Sequence, residues 1–425
     1  MLDIEYIRQY SALVRDAVRK KGFQVDIDRL LALDAQRREL LQKIEKLRHE
    51  QKEGSKVITS VPSQERAETI RFMKKIDDRI STFATKLKPL LAEYDALLLQ
   101  VPNIPAKEVP EGHSSEQNVM LRTVGQPPRF SFEFLDHVKL GEYLDIIDVE
   151  RGVKLTGNRG YILKNDAVRL EQALLVYALD FIAQRGFTIF TPPYMAQERF
   201  FFGTGYFPWA KTETFQVSDG KKFQHLIGSA EVPLTAYHAG EVLAIKELPK
   251  YYAASTPCFR TEVGSYGKDT KGLFRLRQFH KVEQVILCEN SEEVSVHMFH
   301  FLLKNAEEFL QSLELPYRVM RLCAGEIGAG QIEKYDIETW MPSRNAYGET
   351  HSCSRFHDFQ TRRLHIRYKD SDGKLRFAHS LNNTLIASPR ILIAFLEVHQ
   401  QEDRTVRIPK ALQPYMHGKE YIGKL

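Results

Sequence analysis

The chain has 425 residues, 43% of them hydrophobic and 27% charged, and a net charge of +5. This balance excludes a disordered or fibrous chain and predicts two or three globular domains. No apolar run reaches the roughly 18–20 residues a membrane helix requires, and MLDIEYIRQY lacks the apolar core of a signal sequence, so a cytoplasmic protein with no membrane association is expected.

In chain order, the first strong pattern is helical. From Asp28, Leu33, Leu40, Ile44 and Leu47 form one stripe, ending between Gly54 and Pro62. A second helix is predicted over Ser63–Leu99. Its residues Met73, Ile76, Ile80, Phe83, Leu87, Leu90, Tyr94 and Leu97 step alternately by three and four, a heptad seam. At 1.5 Å per residue such a helix is about 55 Å long, with Pro89 off the seam and expected to bend it locally. Lys74, Lys75, Arg79, Lys86 and Lys88 also lie off the seam. The first 100 residues hold 20 Lys and Arg against 16 Asp and Glu. The pattern predicts an antiparallel two-helix coiled coil, and leaves a dimerisation coil, a bundle fragment and a projecting arm all open.

Residues 101–117, opening with the proline-rich VPNIPAKEVPEG, are read as a linker between domains at 1–100 and 118–425. A helix is predicted from about Asp166 to Arg185, capped by Asn165 or Asp166 and stopped at Gly186. Its apolar face is Leu170, Leu174, Tyr177 and Phe181, and a strand follows at Phe187–Phe190. The four cysteines, Cys258, Cys288, Cys323 and Cys353, form no CxxC pair, which argues against a zinc knuckle or a disulfide framework.

The run Pro257–Leu287 alternates at both ends and is glycine-rich and charged between them, the pattern of an antiparallel hairpin with a long loop. A period of two places Arg260 with Glu262, and Arg275, Arg277, Phe279 and Glu283 together. Unpaired ions are expensive to bury. Such a face suits a ligand carrying phosphate, carboxylate, ammonium and a flat heteroaromatic ring, since arginine forks match phosphate and carboxylate. The bland alternative is an exposed salt-bridged sheet face.

The FRTE at Phe259–Glu262, the loop GSYGKDTKGLFR and the RxxxF at Arg275–Phe279 resemble motif 2 of the class II aminoacyl-tRNA synthetases, in particular the seryl branch. The likeness extends through DHVKLGEYLDIID, VKLTGNRGYILKND, HLIGSAEVPL, YGETHSCS and HSLNNTLIASPRILIAFLE, and the two long helices resemble that branch's tRNA-gripping arm. The resemblance implies an α+β fold: a catalytic domain on an antiparallel sheet with helices, preceded by the arm, in a homodimer built on the 166–190 segment (motif 1). It implies ligation of L-serine to serine tRNA through a seryl-adenylate, with ATP as substrate, Mg²⁺ as cofactor and selenocysteine tRNA as a second candidate partner.

Residue by residue, it implies that Arg260 holds the serine carboxylate and the α-phosphate, and that Arg390 restrains the β,γ-phosphates. Thr261, Glu262, Arg275, Phe279, Glu349, Thr350, His351 and Ser352 complete the ATP site. Ser229 and Glu231 read the serine ammonium, while Glu283, Asn382 and Thr384 serve the rest of the amino acid. Glu349 and Ser352 take Mg²⁺, which usually uses one or two protein groups. They lie three residues apart, so a bulge or turn is needed to bring them to one face. Two departures from the family pattern are Ser229 for threonine and Gly348 for an arginine. Two rivals are an amino acid:carrier-protein ligase, whose relatives lack the arm and use cysteine for metal, and a synthetase-like RNA-binding or regulatory paralogue, which would be expected to lose these arginines and carboxylates. No strand–GxGxxG–helix unit and no HIGH or KMSKS signature occurs.

Overall fold

The computed structural model describes residues 1–57, 63–220, 222–263 and 272–424. The chain divides into two compact units, Met1–Pro102 and Asn103–Leu425. In the first, short helices at Ile4–Gln9 and Ser11–Lys20 precede α1 (Ile27–Val57) and α2 (Ser63–Gln100). The long helices run antiparallel. Arg29 grips Glu93 with two hydrogen bonds of 2.7 and 2.8 Å, Lys43 stands over Phe83, and Gln51 reaches Asp77. The apolar stripes meet between them, burying Leu33, Ile44 and Leu47 of α1 and Ile76, Leu87, Tyr94 and Leu98 of α2. The other seam positions stay half-buried, because only one partner helix covers them. Pro89 lies within α2, which continues as one helix to Gln100. The polar turn expected between the helices falls mostly on 58–62, outside the described residues.

The second unit is organised on an eight-stranded sheet. Its strands, in chain order, are β1 (Val119–Val124), β2 (Thr188–Phe190), β3 (Lys250–Phe259), β4 (Gln278–Cys288), β5 (Tyr317–Arg321), β6 (Glu333–Met341), β7 (Ala346–His357) and β8 (His379–Ala387). They lie in the spatial order β1-β5-β6-β7-β8-β4-β3-β2. All neighbours are antiparallel except the edge strand β2, which runs parallel to β3. Helices α3 (Asn165–Ala183), α4 (Glu292–Ser312) and α5 (Ser388–Val398) supply much of the core against the sheet. Alternation along the strands sorts the side chains. Val282, Ile286, Tyr335, Ile337, Cys353, Leu381 and Leu385 enter the core, and their neighbours turn to the opposite face.

Two local expectations change. Residues 103–112, read as linker, are packed: Asn103 donates its amide N–H to the Ala329 carbonyl and its side-chain amide to the carbonyls of Gly330 and Phe356. Neither Asn165 nor Asp166 caps α3. The cap is Lys164, and the Asn165 amide turns away to donate to the Asp145 carbonyl at 3.0 Å. The helix ends at Ala183, sooner than expected, and the turn that follows closes at Gly186, whose φ of +85° suits glycine.

Phe309 on α4 is fully buried, with its ring centroid 5.2 Å from Tyr177 and 5.4 Å from Phe181 on α3. Phe309→Ala is expected to destabilise this unit by about 3–5 kcal/mol, seen as a lower urea midpoint with an unchanged slope.

Candidate active site

Strands β3 and β4 form the expected hairpin, with Phe259 opposite Gln278 and Cys258 opposite Phe279. Both strands end sooner than the alternation predicts. Arg260, Glu262 and Arg275 stand on irregular backbone beyond them, Glu262 at φ +57°, and residues 264–271 of the loop lie outside the described residues. Arg277 therefore leaves the shared face and lines a separate hollow with Tyr161 and Phe259.

Above the central strands lies one cavity, bordered by Glu231, Arg260, Glu262, Arg275, Phe279, Glu349, Thr350, His351, Ser352, Asn382, Thr384 and Arg390. At one end the Arg260 guanidinium sits 5.3 Å from the Phe279 ring centroid, and its Nη2 donates to the Gly228 carbonyl at 3.3 Å. Glu262 lies 3.5 Å from Arg159 and 3.6 Å from Arg275. Pro389 fits the first turn of α5, and Arg390 follows it. Arg390 donates to the carbonyls of Glu349 and Phe274 at 2.7 and 3.1 Å, and its Nη1 lies 3.2 Å from the Glu349 carboxylate. Burial opposes the charge on Glu349, yet Arg390, Lys334 and Arg260 outweigh it and hold its pKa near 2.

Glu349 and Ser352 reach one face through a β-bulge. Strand pairing runs Ile337 to His351 but Glu338 to Glu349, so Thr350 is the extra residue. Thr350 and His351 border the cavity with their polar atoms committed elsewhere. The Thr350 hydroxyl meets that of Thr339 at 2.6 Å, and His351 bonds Thr350 and the Leu385 carbonyl. Burial lowers the His351 pKa to about 4, so its ring is neutral.

At the other end the polar groups form a connected network, in which Asn382 Oδ1 is buried without a hydrogen-bond partner among the described residues. Asn382 Nδ2 donates to Glu231 at 3.0 Å and to Glu283 at 2.9 Å. The Ser229 hydroxyl donates to Glu283 and accepts from the Glu231 backbone. Lys281 pairs with Glu283 and lies 3.5 Å from the Thr384 hydroxyl. Ser229 and Glu283, expected on the cavity wall, are fully buried beneath it. Their hydrogen-bonding capacity is taken up by this network. Thr261 lies off the cavity too, because its hydroxyl is bound to the Thr212 carbonyl at 2.7 Å.

The sequence reading missed Tyr206, Gln360, Lys281 and Lys334. Tyr206 and Gln360 hold the two oxygens of Glu231 at 3.1 and 2.7 Å. They come from distant segments, and nothing in their spacing announces them. Lys281 could have been found, since it lies between Phe279 and Glu283 on one strand face. Burial, reinforced by Glu283, pushes the Glu231 carboxyl up to about 7.

Known proteins share this architecture. The profile of the seryl-tRNA synthetase N-terminal domain matches residues 1–105, and that of the tRNA synthetase class II core domain (G, H, P, S and T) matches residues 214–399. The serine–tRNA ligase of Deinococcus radiodurans is 42% identical over 100% of this chain and 99% of its own length, and that of Trichlorobacter lovleyi 43% over the whole of both. The crystal structure of seryl-tRNA synthetase from Pyrococcus horikoshii complexed with ATP superposes with a TM-score of 0.90, at 37% identity and complete coverage of both chains. The fold is that of a class II synthetase core, and the chain belongs to the seryl-tRNA synthetase family.

The raised pKa of Glu231 has a measurable sign. The folded protein holds this proton more tightly than the unfolded chain, so the stability it contributes is present below about 4.5 and lost as pH rises through about 7. Glu231→Gln, neutral throughout, should lose this dependence, so that the parent's stability falls relative to the variant's by on the order of 3 kcal/mol between pH 4.5 and a pH above 7. Urea melts across this range check it.

Proposed function

We propose that this chain ligates L-serine to serine tRNA with ATP as the energy source, as the names of its relatives indicate. The observation that carries the reading is one cavity with two chemically distinct ends. Arg260 and Arg390 line one part of it, and Glu231, Asn382 and Thr384 line another; the first suits phosphate and the second a small amino acid.

In the first step a serine carboxylate oxygen attacks the α-phosphorus of ATP, and the bond to the leaving pyrophosphate breaks. In the second, a hydroxyl of the terminal adenosine of tRNA attacks the seryl carbonyl and AMP leaves. The attacking groups belong to the substrates, so the protein positions them and stabilises charge. Arg260 bridges the serine carboxylate and the α-phosphate, while Phe279 and Glu262 fix the adenine. Glu231 binds the ammonium, with Ser229, Gln360 and Tyr206 holding its oxygens and backbone in place. Thr384 and Asn382 meet the serine side chain, with Glu283 fixing Asn382 from below.

Glu349 and Ser352 fit a hard cation: one carboxylate kept ionised and one hydroxyl on a common face. Mg²⁺ held there would neutralise phosphate charge. The helices α1 and α2 act as a coiled-coil arm that grips serine tRNA by shape and phosphate, with selenocysteine tRNA a second candidate. Helix α3 and strand β2 form the interface of a cytoplasmic homodimer.

Pyrophosphate exchange run with each of the twenty amino acids tests the reading: serine must support it, and exchange with another amino acid alone would overturn it. Arg260→Ala is expected to slow exchange by about 10²–10³ without lowering the melting temperature.

Replacing residues 40–87 by a short glycine linker separates the two units' roles. Exchange should persist, while charging of serine tRNA falls sharply through weaker binding. Neutralising Lys74, Lys75 and Lys86 should flatten the salt dependence of tRNA binding by about 0.7–0.9 in log–log slope for each phosphate left unneutralised. Normal charging by the truncated protein would make the helix pair a structural element only.

A further inference from the structure

The phosphate end of the cavity contains an arrangement that the adenylation scheme does not use. Phe274, just after the loop of the β3–β4 hairpin, borders the cavity. Two guanidiniums stand against its ring: Arg390 with Cζ 4.7 Å from the centroid, and Arg344 with Cζ 4.2 Å from it. Arg390 is also hydrogen-bonded to the Phe274 carbonyl. Arg344 belongs to the turn Pro342–Arg344 between β6 and β7 and is exposed.

Position 348 cannot supply such a cation. Gly348 is buried, and a Cβ there would come within 2.9 Å of Phe274 Cε2 and 3.0 Å of Met341 Cε and Sδ. The ring fills the space a side chain at 348 would enter, and offers its surface to Arg344. The turn is also anchored. The Ser343 backbone N–H and hydroxyl donate to the Glu397 carboxylate at 2.8 and 2.7 Å, and Glu397 lies fully buried on α5, the helix that carries Arg390.

Arg390 is balanced by the Glu349 carboxylate at 3.2 Å, and Arg344 brings a second guanidinium to the same ring. A guanidinium can stack on an aromatic face and still direct its edge donors to phosphate. We propose that Arg344, which stands beside Phe274 just outside the cavity lining, is a further substrate-binding residue that joins Arg390 in holding the terminal phosphates of ATP. This rests on the assignment of the cavity's Arg390 end to those phosphates.

The test compares ATP with AMP, which lacks the terminal phosphates, on the full-length protein. Arg344→Met keeps the aliphatic stem against Phe274 and removes the charge. The KM for ATP in serine-dependent exchange is expected to rise about tenfold, with Kd for AMP by calorimetry unchanged. Arg344→Lys should recover most of the ATP affinity. If the methionine variant melts early, Arg344→Gln carries the test in its place, and must lose ATP affinity while keeping AMP affinity. Equal weakening of ATP and AMP, or no change in ATP, overturns the proposal. Arg390→Met separates this failure from failure of the assignment beneath it. If that variant also leaves the ATP-to-AMP ratio unaltered, the terminal phosphates lie elsewhere and the assignment falls first.

Discussion

The catalytic unit depends on pairing ionic side chains in the middle of its sheet. Strands β7, β8 and β4 are central, and each turns polar or charged residues to the face opposite the core. Isolated ions there would be penalised by several kcal/mol each, so they come as sets. Glu283 is shared by Ser229, Asn382 and Lys281, and Glu349 is held by Arg390. Removing one member leaves the others unsatisfied, which ties the fold of this region to the integrity of its site.

Register errors in the ladder then become useful. The bulge at Thr350 gives β7 one residue more than β6 can match, and brings a carboxylate and a hydroxyl three positions apart to one face. A second irregularity, between Val282 and Glu283 in the pairing of β4 with β8, leaves Leu385 as the extra residue. Leu385 sends its side chain into the core and its carbonyl to His351. The two bulges are thus connected through a buried, neutral imidazole, which fixes the irregular backbone on both strands.

Much of this was legible in the sequence, because alternating ions on a strand have few bland explanations and a three-four seam has one geometry. The paired long helices, the hairpin, the need for a bulge before Ser352 and the start of α5 at Ser388-Pro389 were all readable in that way. Three kinds of feature were not. Arg277 followed the period-two rule only on paper, since the backbone leaves the strand before reaching it. Asn165 had the right chemistry for a cap, but a tertiary partner at Asp145 took its amide. Tyr206 and Gln360 meet Glu231 across 25 and 129 residues of chain, a proximity no local pattern encodes. Depth was invisible as well: Ser229 and Glu283 have the chemistry of ligand-contacting groups, but lie one layer too low.

The buried carboxylate of Glu397 joins the turn 342–344 to helix α5, and also accepts from the backbone and Nδ1 of His137. The backbone segments that carry Arg344 and Arg390 are therefore tied to one carboxylate. An anion captured by one guanidinium meets the other at a high effective concentration, with little additional loss of freedom. In the proposed site the two guanidiniums thus act as a chelating pair whose bite is set by a third residue.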